Sequence, residues 1–200
     1  PQDAGRDTMP GLSWTAVIPD MGGTSFASPI VAGGAALLVD VGYDKYGGGD
    51  STDARVIKAV LLNSADKLTG WNNAQVVESG MVVTRQSLDY ASGAGALNLD
   101  RAFDQYTAGT ADVPGSGGGT VQSTGWDLGE TGPGAGTEYV ISQPLAAGSI
   151  LDATLTWFAD RRFDDTTLTA LDVQLANLDL EVWRLEDGSD EVLVAQSISL

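Results

Sequence analysis

In 200 residues the chain carries 27 acids against 10 bases, a formal charge of −17 with a pI near 4.1, and this sets nucleic acid aside as a partner because phosphate binding needs clustered Lys and Arg. Charged residues are only 18% and hydrophobic residues 42%, so the acidity describes the surface of a chain able to bury a core, in one large domain or two small ones, rather than a disordered polyanion. With no cysteine there is neither a disulfide framework nor a thiol site, and with no histidine the commonest general base is missing.

Pro1 is not an initiator residue, so the chain is expected to start downstream of a natural N-terminus. The residues to Asp20 are polar and turn-rich, with Pro10-Gly11 followed by the short apolar run Trp14-Thr15-Ala16-Val17-Ile18. That run reads as one strand or an extended segment. Next comes Gly22-Gly23-Thr24-Ser25-Phe26-Ala27-Ser28-Pro29-Ile30-Val31-Ala32-Gly33, in which a glycine-led turn delivers one hydroxyl, Ser25, to the start of a long apolar run. Glycines let the backbone turn sharply and approach a substrate closely. The unpaired first N–H groups and the dipole of the following helix can face a developing negative charge. The plain alternative is that Ser25 is a helix N-cap in a small-residue turn.

Phe26 to about Asp40 is almost wholly small or apolar, which predicts a buried helix, with Pro29 near its first turn and Gly33-Gly34 permitting close packing. The longest apolar run, Pro29 to Val39, is too short to cross a bilayer, so no membrane span is expected. Tyr43 to Asp50, with its three consecutive glycines, predicts a loop. Asp44, Asp50 and Asp53 match no standard Ca²⁺ loop and read as solvated acids. A second helix is expected to start with Ser51 or Thr52 as cap and to bury Val56, Ile57, Val60 and Leu61 at helical spacing, ending at Asn63-Ser64 and Gly70. Residues 71 to 87 read as a loop plus a hairpin-like insertion. Thr107 to Thr120 lacks a hydrophobic pattern and reads as a linker or loop.

Beyond it the period changes to two. Ile150 to Trp157 and Leu178 to Trp183 alternate, and short strands are predicted at Trp126–Leu128, Tyr139–Ser142 and Val192–Ala195, with turns such as Asp187-Gly188 between strands. Such strands imply an antiparallel sandwich. Asp164, Asp165, Asp172 and Asp179 could gather around Ca²⁺, although scattered acids in an acidic chain are commonly surface residues. The expected cofactor is none, with Ca²⁺ the one candidate.

The string Gly23-Thr24-Ser25-x-Ala27-Ser28-Pro29-x-Val31-Ala32-Gly33 resembles the nucleophile motif of the subtilisin-like serine peptidases at every defined position. Tyr90 to Ala102, with Gly93-Ala94-Gly95-Ala96-Leu97-Asn98-Leu99, resembles a segment of the same family that closes the peptidase domain, about seventy residues after the serine. The pair Leu155-Thr156-Trp157 and Asn177 to Val182 resembles the jelly-roll-like sandwiches appended to secreted members. The resemblance implies an α/β fold: residues 1–108 as the C-terminal portion of a three-layer peptidase domain, 109–120 as linker, and 121–200 as an incomplete all-β sandwich. A jelly roll uses about eight strands, against the five or six readable before Leu200. It also implies that Trp14 to Met21 borders the substrate cleft, with an ordinary strand as the alternative.

By the same resemblance Ser25 is the nucleophile of a secreted serine endopeptidase acting on proteins or peptides, and its backbone N–H is one oxyanion donor. The family places its Asp, His and oxyanion Asn before the serine. Only 24 residues precede Ser25, the chain has no His, and its first Asn is Asn63. The expectation is therefore the serine-bearing part of a larger peptidase, inactive alone, whose uncovered apolar helix self-associates or pairs with an upstream segment. The competing expectation is a secreted, non-catalytic binding or adhesion module beside a remnant peptidase segment.

Overall fold

The computed structural model describes residues 23–110, 117–141, 143–159, 161–167, 169–172, 176–185 and 191–198. Trp14 to Met21, Gly22, the middle of the linker run (111–116) and the turn Asp187-Gly188 lie outside the described residues.

Helix α1 spans Thr24–Tyr46 and is 23 residues long. It outruns the expected Phe26–Asp40, and Tyr43 to Tyr46, expected as loop, form its last turn. Packing explains the extension: Gly42 is buried beneath the Tyr106 hydroxyl, and Val41 and Tyr46 lie against the core. The helix ends at Gly47 in the left-handed conformation, where the N–H groups of Gly47 and Gly48 reach back to the carbonyls of Tyr43 and Gly42. One 18-residue window of α1 has a mean hydropathy of 1.5, so its length and composition would suffice to cross a membrane, as they would for a buried core helix. The length estimate taken from Pro29 to Val39 is corrected accordingly.

A single 3₁₀ turn, Gly49–Thr52, leads into α2, Ala54–Asn63. The N-cap is Asp53 rather than Ser51 or Thr52: its carboxylate accepts from the Arg55 amide at 2.8 Å and pairs with the Arg55 guanidinium at 2.9 Å. Ser51 is buried, its hydroxyl donating to the Gly48 carbonyl at 3.0 Å. Helix α3, Leu99–Ala108, is capped by Asn98, whose side chain accepts from the Arg101 amide at 3.0 Å. Just before it, Asp66 and Ala96 exchange two backbone hydrogen bonds of 2.9 Å. Gly95 is required there, because it has φ +121 and a Cβ would strike the Asp66 carbonyl. The core is the meeting of three helices: Leu38 from α1, Val56, Ile57 and Val60 from α2, and Ala102 and Tyr106 from α3.

The expected hairpin forms between β1, Gln75–Glu78, and β2, Met81–Thr84. Ser79 and Gly80 both have positive φ, 53° and 85°, as a two-residue hairpin turn demands. Further strands are β3 (Gly119–Val121), β4 (Tyr139–Ile141), β5 (Arg161–Asp164), β6 (Thr169–Asp172), β7 (Leu180–Leu185) and β8 (Glu191–Ser197). They form a four-stranded sheet in the order β1-β2-β8-β7 and the pairs β3-β4 and β5-β6.

These elements agree with an α/β chain, but the described strands do not assemble as a jelly roll. Strand β8 runs parallel to β2, Val82 facing Ala195, so the late strands extend the hairpin of the helical segment. Ile150 to Trp157, expected as a strand, is irregular, and of Trp126 to Leu128 only Trp126 pairs, through an isolated parallel bridge to Thr110. The alternating run meets a helix instead of another strand. The Thr154 hydroxyl lies 2.8 Å from the Asn63 side-chain oxygen, the Thr156 hydroxyl donates to the Arg55 carbonyl at 2.9 Å, and Lys58 of α2 sits over the Phe158 ring.

Candidate active site

Ser25 is the second residue of α1 and is exposed. The N-cap is Gly23, with φ 141 and ψ 164, so Ser25 is not itself the cap. The Phe26 and Ala27 amides both donate to the Gly23 carbonyl, at 3.1 and 3.3 Å. Helix geometry gives the Thr24 and Ser25 amides no acceptor inside α1. These N–H groups therefore stand at the positive end of a 23-residue helix whose first turn carries no acid. A developing oxyanion beside Ser25 would meet donors rather than like charge.

Pro29 is the sixth residue of α1, beyond the first turn where it was expected. Its missing N–H would otherwise donate to the Ser25 carbonyl, so the helix leaves that carbonyl without its usual intrahelical partner. Thr24, Ala27, Ser28, Val31, Ala32 and Ala35 recur at helical spacing and line an open groove of about 560 Å³. Ser25 is not in that lining: one residue along an α-helix turns it about 100° away from Thr24. The groove is an uncovered packing face beside the serine rather than a pocket around it.

No ionisable side chain occurs between Gly23 and Val39, and the chain has no histidine. The motif thus holds a hydroxyl and backbone donors without a base. Among the described residues no group of three or more His, Cys, Asp or Glu is placed to hold a metal ion. Asp164 accepts from the Thr166 and Thr167 amides at 2.8 and 3.2 Å, and these bonds hold its carboxyl below the usual range.

Sequence reasoning missed the aromatic group at the other end of α1. Tyr46, Tyr106 and Trp126 contact one another with ring centroids 5.6 to 5.8 Å apart. The signal available was a Trp in a stretch otherwise read as strand, which says nothing of its partners.

Residues 10–95 match the family model Peptidase_S8, described as the subtilase family. Both the serine motif and Gly93-Ala94-Gly95 fall within the matched span. Searches of curated proteins and of solved structures found no match.

Proposed function

We propose, from the premise that residues 10–95 are a subtilase-like segment, that this segment supplies the nucleophile of a subtilisin-like serine endopeptidase and that Ser25 is that nucleophile. The observation that carries the reading is the position of Ser25: second residue of a long helix, behind Gly23, inside the matched span. The Ser25 Oγ attacks a substrate peptide carbonyl while its proton passes to a histidine base. The leaving amine takes that proton as the acyl-enzyme forms, and water then releases the acid and restores the hydroxyl. The Ser25 N–H is one donor to the oxyanion, and an asparagine from outside this chain is the other. Losing one such donor costs roughly 10²–10³ in rate.

Because the chain has no histidine, the base is supplied from outside it, and the chain alone does not turn over peptides. The substrate class is protein or peptide, no cofactor is needed for the chemistry, and the setting is extracellular, as the family resemblance suggests. The pairing of β8 with β2 favours this reading over a separable adhesion module with a remnant peptidase segment.

The test is active-site labelling with a fluorophosphonate. The purified chain alone should show no stoichiometric labelling, and rapid labelling of Ser25 would overturn the claim of inactivity. Mixed with a polypeptide carrying the Asp, His and Asn of a subtilisin-like enzyme, the chain should label at Ser25, and Ser25→Ala should not. Absence of labelling in a complex that demonstrably forms would overturn the nucleophile assignment.

A further inference from the structure

Downstream of α3, Trp126 and Leu128 pack against the helical core. Trp126 lies flat on Tyr106, with centroids 5.6 Å apart and planes 14° from parallel, and Tyr46 meets both rings edge-on at 85° and 82°. These are the offset-stacked and T-shaped arrangements that ring quadrupoles favour.

The polar atoms agree with the rings. Tyr106 sits in the last turn of α3, where backbone carbonyls have no intrahelical donor. Its carbonyl accepts from Trp126 Nε1 and from the Tyr46 hydroxyl, both at 2.9 Å. The Trp126 amide donates to the Gly109 carbonyl at 3.1 Å, and Gln105 Nε2 donates to the Gly125 carbonyl at 3.1 Å. A Cβ at position 125 would come within 2.8 Å of the Gly109 carbonyl, so the backbone passes where only glycine fits. Leu128 joins the helical core beside Trp126.

The residue between them faces elsewhere. Asp127 accepts from the Thr110 hydroxyl at 3.0 Å, the Tyr139 hydroxyl at 2.9 Å and the Gly118 amide at 3.2 Å. An extended backbone sends successive side chains to opposite sides. Here 126 and 128 go to the helices, and 127 goes to the β3-β4 pair.

We propose that Gly125 to Leu128 form a two-sided strap, with Trp126 as its latch, through which the residues downstream of α3 hold the C-terminal end of α1, the helix that carries Ser25 in its first turn. Tyr46 belongs to the last turn of α1, so the latch closes on the same helix whose first turn carries the serine. Helical and β segments on either side of residues 109–120 then open together rather than as independent modules. This holds whatever chemistry Ser25 performs.

Amide hydrogen exchange on the full chain tests it. In the wild type the Trp126 amide should be protected to the same degree as the Ala102 amide of α3. Trp126→Phe keeps a ring but loses the Nε1 donor, and should speed exchange at position 126 and at Gly47 and Gly48 by about tenfold. Asp127→Ala should speed exchange in β3 and β4 while leaving Gly47 and Gly48 within about twofold of wild type. Exchange of the wild-type Trp126 amide at free-peptide rates would overturn the strap. So would a Trp126→Phe protein whose Gly47 and Gly48 amides are unchanged.

Discussion

Adding a methyl group to α1 should change sign between Gly33 and Gly42. At Gly33 a Cβ meets nothing within 4 Å, so Gly33→Ala gains helix propensity and should stabilise the fold by up to about 1 kcal/mol. At Gly42 the Cβ collides with the Tyr106 hydroxyl and presses Thr52 Cγ2 at 3.0 Å and Ser51 Oγ at 3.2 Å. Overpacking of this kind costs about 1–3 kcal/mol. The Tyr106 hydroxyl also donates to the Ser51 carbonyl at 2.6 Å, a bond that the intruding methyl would displace. Gly42→Ala should therefore lower stability by about 1–3 kcal/mol, read as a shift in the urea midpoint. Individual residues were legible in the sequence where their meaning is local. Ser25 stands out because a short window of glycines and small residues defines its turn, and Val56, Ile57 and Val60 because helical spacing defines their stripe. Trp126 was not, since its partner Tyr106 lies 20 residues upstream and no local pattern joins them.

Between elements, tyrosine hydroxyls do much of the joining, and they make the fold sensitive to alkali. Burial raises the pKa of Tyr46 and Tyr106, with the neighbouring Tyr106 adding to the effect on Tyr46. Tyr139 is pushed up to about 12, first by burial, then by its hydrogen bond to Asp127 and the carboxylate's charge. An unfolded tyrosine ionises near pH 10. Between about pH 10 and 12 the unfolded chain has released the Tyr139 proton while the folded chain keeps it, so rising pH favours unfolding. This contribution is complete below about pH 10 and gone once the pH passes the folded value near 12. Melting temperature should fall across that window, and Tyr139→Phe should fall less steeply; an equal slope in both proteins would refute the assignment. The element scale also shows where sequence pattern misleads. Ile150 to Trp157 alternates as a strand would, but alternation only states that one face is apolar or partnered. Here Thr154 and Thr156 turn that face toward α2, at Asn63 and Arg55, and no ladder forms.

At the scale of the whole molecule, two features oppose each other: a net charge of −17 and an apolar helix with little cover. Phe26, Ile30, Val31 and Leu37 of α1 are 48%, 63%, 43% and 61% exposed. Composition made the charge legible at once, and the resemblance made the uncovered helix an expectation. The parallel join of β8 to β2 could not be foreseen, because register between strands more than a hundred residues apart leaves no local mark. Exposed apolar surface on this scale favours association of copies, while like charges on each copy resist it. Salt decides between them: the Debye length shrinks from about 30 Å at 0.01 M to about 8 Å at 0.15 M. Sedimentation velocity should accordingly show the weight-average coefficient rising with ionic strength. Ile30→Glu, at the most exposed of the four positions, adds charge and removes apolar area, and should suppress that rise while leaving the helical circular-dichroism signal intact. Salt-independent sedimentation of the wild type would place the association surface elsewhere or remove it, since neither outcome follows from an apolar face held apart by screened charge.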